Sequence, residues 1–119
     1  MKLSCEFNFD AAHKLAHYGE GHPNTRMHGH SFRARVSVQG VPDEHGQIIA
    51  LDVLQNHLTT IRKQLDHATL NDIAGLENPT LENICYWVWQ QLHPLVPQLA
   101  SVEVFRDSLG QSCLYEGDV

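Results

Sequence analysis

Two stretches of the chain alternate between apolar and polar side chains, and a period of two dictates β-strands. Leu3, Cys5, Phe7, Phe9 and Ala11 are apolar, while Ser4, Glu6, Asn8 and Asp10 between them are polar. A second run sets Phe32, Ala34, Val36 and Val38 on one face and Arg33, Arg35, Ser37 and Gln39 on the other. Residues two apart on a strand point the same way. His13 therefore continues the apolar face of the first run, and His28 and His30 continue that of the second. The segment between them, HYGEGHPNT, carries two glycines and a proline and reads as a loop. If that loop pairs the two runs, three imidazoles converge at one end of the inward face.

Three protein ligands with an open fourth position is the arrangement of catalytic zinc. Such a site lowers the pKa of bound water or polarises a substrate oxygen. An H-x-H pair alone is more often a surface or hydrogen-bonded pair, so the matching parity of His13 carries the reading. Gly29, between two ligands, is expected to let the backbone approach closely. The chain has nine histidines, but His17, His22, His45, His57 and His93 lack such support.

The rest of the chain changes period. GVPDEHGQ (40–47) is turn chemistry, and IIAL after it reads as a strand tail. Leu51, Leu54, Leu58, Ile61 and Leu65 then recur every three or four residues and predict an amphipathic helix over 52–65. Asp52 with Gln55 has the spacing of a capping box. Residues 66–79 form an irregular link. Thr80 is a good N-cap, with Glu82 in the first turn of a second helix whose stripe is Leu81, Ile84, Cys85, Val88 and Leu92. Pro94 and Pro97 end it. SVEVFRD (101–107) and SCLYEG (112–117) are two further strands. The order ββααββ predicts an α+β fold with a four-stranded antiparallel sheet and the helices on one face. At 119 residues, one domain spanning 1–119 is expected.

The formal charge of −6 argues against nucleic acid as a partner. No apolar run is long enough to span a bilayer, and MKLSCEFNF lacks an export signal. Cys5, Cys85 and Cys113 show no CxxC spacing and read as buried free thiols in a reducing, cytoplasmic setting. Asp66–His67 is a carboxylate beside an imidazole, suited to acid–base work or merely to a helix C-terminus. Arg33 and Arg35 face away from the histidines, as an anion surface or as a solvated face. Asp107, at the end of the third strand, has a carboxylate able to grip a guanidine-like edge with two hydrogen bonds.

FNFDAAHKL, RMHGHSF, LDH, GLENPTLENI and CLYEG, in that order, resemble the 6-pyruvoyl-tetrahydropterin synthase family. The nearest likeness is to its bacterial branch, the 6-carboxytetrahydropterin synthases of the queuosine pathway. The resemblance implies the tunnelling (T) fold, with trimers closing their sheets into a barrel. Two trimers would stack as a homohexamer (a dimer of trimers), with active sites at subunit interfaces. It implies Zn2+ held by His13, His28 and His30, and a small-molecule pterin substrate, 7,8-dihydroneopterin triphosphate. It implies catalysis by Asp66 and His67 and pterin contacts from Thr80 and Asp107. Two positions depart from the family pattern. Asn24 stands where the family has a catalytic cysteine, and an amide can neither become a thiolate nor take a proton near neutral pH. Asp107 stands where the family has glutamate. Either His67, Glu20, His22 or a zinc-bound hydroxide substitutes for the thiol, or the chain is a divergent paralogue acting on another dihydropterin or only binding pterin.

Overall fold

The structure, a computed structural model, describes residues 1–117. Four strands, β1 (Lys2–His13), β2 (His28–Gln39), β3 (Leu99–Arg106) and β4 (Gln111–Tyr115), form one sheet in the order β1-β2-β3-β4. Every neighbouring pair is antiparallel. Helices α1 (Leu51–Leu65) and α2 (Leu81–Leu92) lie between β2 and β3 in sequence. The ββααββ order is therefore as the alternation and the helical stripes predict.

The core is the inward face of the sheet closed by one stripe from each helix. Phe7, Phe9 and Ala11 of β1, Phe32, Ala34, Val36 and Val38 of β2, and Val102 and Val104 of β3 are all buried. They meet Leu54, Leu58, Ile61 and Leu65 of α1 and Leu81, Ile84, Cys85, Val88 and Leu92 of α2. Helix α1 rests on β1, and α2 on β3 and β4. Phe9 and Phe32 stack directly opposite each other at 4.9 Å between ring centroids. This aromatic layer is the floor beneath the histidines.

Several local expectations are corrected. Helix α1 begins one residue before the proposed capping box: its N-cap is Ala50, with no side-chain cap, and Asp52 sits in the first turn as a favourable charge at the positive end of the helix dipole. IIAL forms no strand; Ile48 and Ile49 bend across the chain and pack on the core, and Leu51 opens α1. Asp107 does not end β3 but opens the short 3-10 turn Asp107–Leu109. Cys85 alone of the three thiols is fully buried, donating to the Cys113 carbonyl at 3.0 Å; Cys5 and Cys113 are half-buried. Thr80 caps α2 as expected, accepting from the Asn83 N–H at 3.1 Å.

The outer edge of β1 is partly covered. After α1 the chain turns back through His67, whose φ of 59° is left-handed. Residues 67–69 then run parallel to β1: the His67 N–H donates to the Asp10 carbonyl at 2.6 Å, and the Ala12 N–H donates to the Ala68 carbonyl at 2.9 Å. This docking holds Asp66 and His67 against the histidine-bearing end of the sheet.

Candidate active site

The register of the first hairpin assembles the histidines. His13 pairs across from His28, and Ala11 from His30, so the three imidazoles occupy adjacent inward positions on two strands. Ring centroids lie 4.6 Å (His13–His28), 5.0 Å (His13–His30) and 4.9 Å (His28–His30) apart, with the rings nearly perpendicular. One nitrogen from each ring falls within 4.8 Å of the others. Below them lies Phe32, edge-on to both His13 and His30.

The hydrogen bonds decide which nitrogens are available. The His13 ring is fully buried, and its Nδ1–H donates to the Pro79 carbonyl at 2.8 Å. That tautomer leaves a lone pair on Nε2, which is buried and has no partner among the described residues. His28 Nδ1–H donates to the Arg26 carbonyl at 2.7 Å, which frees its Nε2 in the same way. Backbone carbonyls that fix the tautomer and orient the ring are the usual second tier of histidine metal sites. A buried orphan acceptor costs on the order of 1–3 kcal/mol unless something fills it. A divalent cation satisfies the need, so the residues fit a metal.

Electrostatics point the same way. Burial pushes the His30 pKa down to about 4, helped by the charges of His13, Arg106 and His28. Burial also lowers that of His13, against the stabilising bond to Pro79. Both rings are therefore neutral at pH 7, the state that binds a cation.

Asp66 and His67 form a second, adjacent group. The Asp66 side chain, 16% exposed, accepts the Asp10 N–H at 2.9 Å, the His67 Nδ1–H at 3.0 Å and the Arg62 guanidinium at 3.2 Å. The bond from Asp10 is the main reason its pKa lies below the usual carboxylate range. His67, with Nδ1 held by Asp66, is 81% exposed and presents Nε2 outward. His67 and His30 both line a cleft of about 460 Å³ with Asp10, Gly29, Ser31 and Thr69. A Cβ at Gly29 would meet only the Ala11 carbonyl, at 3.7 Å, which is ordinary contact. Close backbone approach therefore does not require this glycine.

The remaining expected residues are elsewhere. Asn24 lies in the 3-10 turn Pro23–Thr25, its N–H donating to His22 Nδ1 at 3.0 Å and its carbonyl accepting from Leu15. Among the described residues no hydrogen bond joins it to Asp66 or His67. Thr80 follows the Pro79 carbonyl that anchors His13. Asp107 spends both oxygens on Arg33, at 3.0 and 3.1 Å. The sequence reading missed Arg106, which parity alone would have found: it shares the inward face with Val102 and Val104.

Fold and site together define a class: an antiparallel α+β protein with a three-histidine cluster able to hold a cation at one end of its core. The chain matches the model of the 6-pyruvoyl tetrahydropterin synthase family over residues 2–118 and belongs to that family. It is 45% identical over 108 residues to a 6-carboxy-5,6,7,8-tetrahydropterin synthase of Synechocystis, covering 85% of this chain and 82% of that protein. It is 34% identical over 92 residues to a dihydroneopterin monophosphate aldolase of Pyrococcus furiosus, covering 76% and 73%. The solved 6-pyruvoyl tetrahydropterin synthase of Caenorhabditis elegans superposes with a TM-score of 0.85 at 19% identity, over 99% of this chain and 96% of that one. The T-fold expected from the motifs is thus the fold of the chain.

Proposed function

We propose that the protein is a zinc-dependent lyase of the 6-carboxytetrahydropterin synthase type, acting on 7,8-dihydroneopterin triphosphate in the cytoplasm. The observation that carries this reading is the convergence of three imidazoles, two with tautomers fixed by backbone carbonyls, in a chain 45% identical to a relative of that name. His13, His28 and His30 would hold the zinc, which when bound acts as a Lewis acid towards the hydroxyls of the substrate side chain. The reaction consumes one water and gives 6-carboxytetrahydropterin, acetaldehyde and triphosphate.

The chain's own groups have distinct tasks. Asp66 holds His67 Nδ1–H, so His67 Nε2 is the atom that takes and returns a proton at the cleft. Burial of His13 and the Phe32 ring excludes water from the floor of the cation pocket. Asp107 would receive the amino-pyrimidine edge of the pterin, which must compete with the Arg33 guanidinium now bonded to it. Asn24 can orient a substrate or a water but cannot shuttle a proton. In a homohexamer built as two trimers, a neighbouring subunit would bring its own groups to the open cleft, and we propose that assembly because Asn24 and His67 are not joined within one chain.

One observation favours a second reading. Asn24 in place of a thiol, together with the likeness to a relative named dihydroneopterin monophosphate aldolase, fits cleavage of the side chain of another dihydropterin, or pterin binding without turnover. Incubating the zinc-loaded protein with dihydroneopterin triphosphate, its monophosphate and dihydroneopterin, with products read by mass spectrometry, separates the cases. Acetaldehyde and 6-carboxytetrahydropterin from the triphosphate support the first reading. A two-carbon aldehyde retaining its hydroxyl or phosphate supports the aldolase, and binding without product supports the third.

A further inference from the structure

Among the described residues, Arg106 is the one half-buried arginine with no ion pair. The ion pairs of Arg33, Arg35 and Arg62 account for the others on the sheet and on α1, and Arg26 is exposed in the loop. Arg106 is half-buried, ends the inward face of β3, and has a buried Nε with no hydrogen-bond partner among the described residues. Continuing the Arg33–Phe105 register by one residue sets it beside Phe32, the floor of the histidine cluster. It lies close enough to His13 and His30 for its charge to depress both pKa values. The other titratable groups that feel it are Glu82, in the first turn of α2, and Tyr18, in the 3-10 turn Ala16–Tyr18. Glu82 is exposed and makes no ion pair with it within 4 Å.

The charge balance of this corner is therefore incomplete. Imidazole ligands carry no negative charge to offset a dication, and Arg106 adds a further positive charge nearby. Burying like charges together without a counter-charge is costly. We propose that Arg106 is an anion-binding residue that receives a phosphate group of the substrate beside the three histidines. The name of the substrate rests on the function proposed above, but the anion site rests on Arg106, His13 and His30 alone. An arginine fork with an unspent Nε–H suits a phosphate oxygen.

Titration of the zinc-loaded protein with inorganic phosphate, followed by phosphorus NMR, tests the site without turnover. Arg106→Gln is expected to weaken phosphate binding about 10- to 100-fold, the worth of a charge-assisted hydrogen bond, with zinc content unchanged. Arg106→Lys is expected to fall between the two. Glu82→Gln, on the exposed start of α2, is expected to tighten binding a few-fold by removing a like charge, and it reports on Arg106 even where the arginine variants fold poorly. Phosphate affinity unchanged in Arg106→Gln, or in Glu82→Gln where the arginine variants do not fold, overturns the proposal. In kinetics, KM for dihydroneopterin triphosphate is expected to rise about tenfold in Arg106→Gln with kcat nearly constant, and KM for unphosphorylated dihydroneopterin to stay unchanged. A wild-type protein that binds phosphate through Arg106 yet turns over no pterin would sink the proposed function and leave the anion site standing. Turnover that is indifferent to Arg106 would do the reverse.

Discussion

The two faces of one sheet treat their polar groups in opposite ways. On the outward face, Arg33 bonds Asp107 and Glu6, Arg35 bonds Glu6 and Glu103, and both guanidiniums lie over the Phe105 ring, at 3.8 and 5.3 Å from its centroid. The carboxylates hold the Arg33 pKa above its usual value, and Arg33 and Arg35 hold Glu6 and Asp107 low. On the inward face, one residue out of phase, His13 Nε2 and Arg106 Nε are buried without partners among the described residues. A network whose members satisfy one another supports the scaffold. A cluster with buried, unspent donors and acceptors awaits something from outside. The contrast sets a cluster with open positions on the inward face against a closed network on the outward one.

The largest effect should come from breaking the inward cluster. His28→Ala is expected to lower bound zinc from about one per chain to background in metal analysis, while the half-buried ring position keeps the fold intact by circular dichroism. Stoichiometric zinc in that variant would break the contrast. Next, Asp66→Asn is expected to lower kcat on the true substrate by about 10²–10⁴-fold, the usual worth of a positioned acid–base group, with zinc retained. Simultaneous loss of zinc would mean that the pair is structural.

Acid should also separate the faces. In metal-free protein, His13 and His30 have folded pKa values below the unfolded value of about 6.5, and that of His30 is about 4. The unfolded chain thus binds more protons between those limits, so stability falls as pH drops from about 6.5 to about 4. Replacing His30 by Gln is expected to flatten this slope in urea-midpoint measurements; an unchanged slope would assign it elsewhere. Smaller still, Thr80→Ala is expected to cost about 1 kcal/mol through the lost cap. Glu6→Gln, on the outward ladder, is expected to stay within about 1 kcal/mol and to leave zinc untouched.

Much of this was legible in the residues. Period-two alternation through Gly29 sets His13, His28 and His30 on one face, because parity survives small errors in strand ends. The stripes of α1 and α2 were equally plain. Other features depend on tertiary neighbours that local pattern does not reveal. Helix α1 starts at an uncapped Ala50, because the burial of Leu54 and Leu58 outweighs a missing cap. The coverage of β1 by residues 67–69 follows from the left-handed turn at His67, an unusual conformation for a residue with a Cβ. The pair of hydrogen bonds from Arg33 to Asp107 joins positions 74 apart in sequence. The inward phase of Arg106 was legible in the alternation of β3, but its missing partner shows only once the sheet is assembled.

X-ray absorption at the zinc edge of the loaded protein probes the inward cluster most directly. Three nitrogen scatterers at about 2.0–2.1 Å, with the remaining position filled by oxygen, are expected. A sulfur shell near 2.3 Å, or a spectrum left unchanged by His28→Ala, would mean that the cation sits somewhere other than between these three rings.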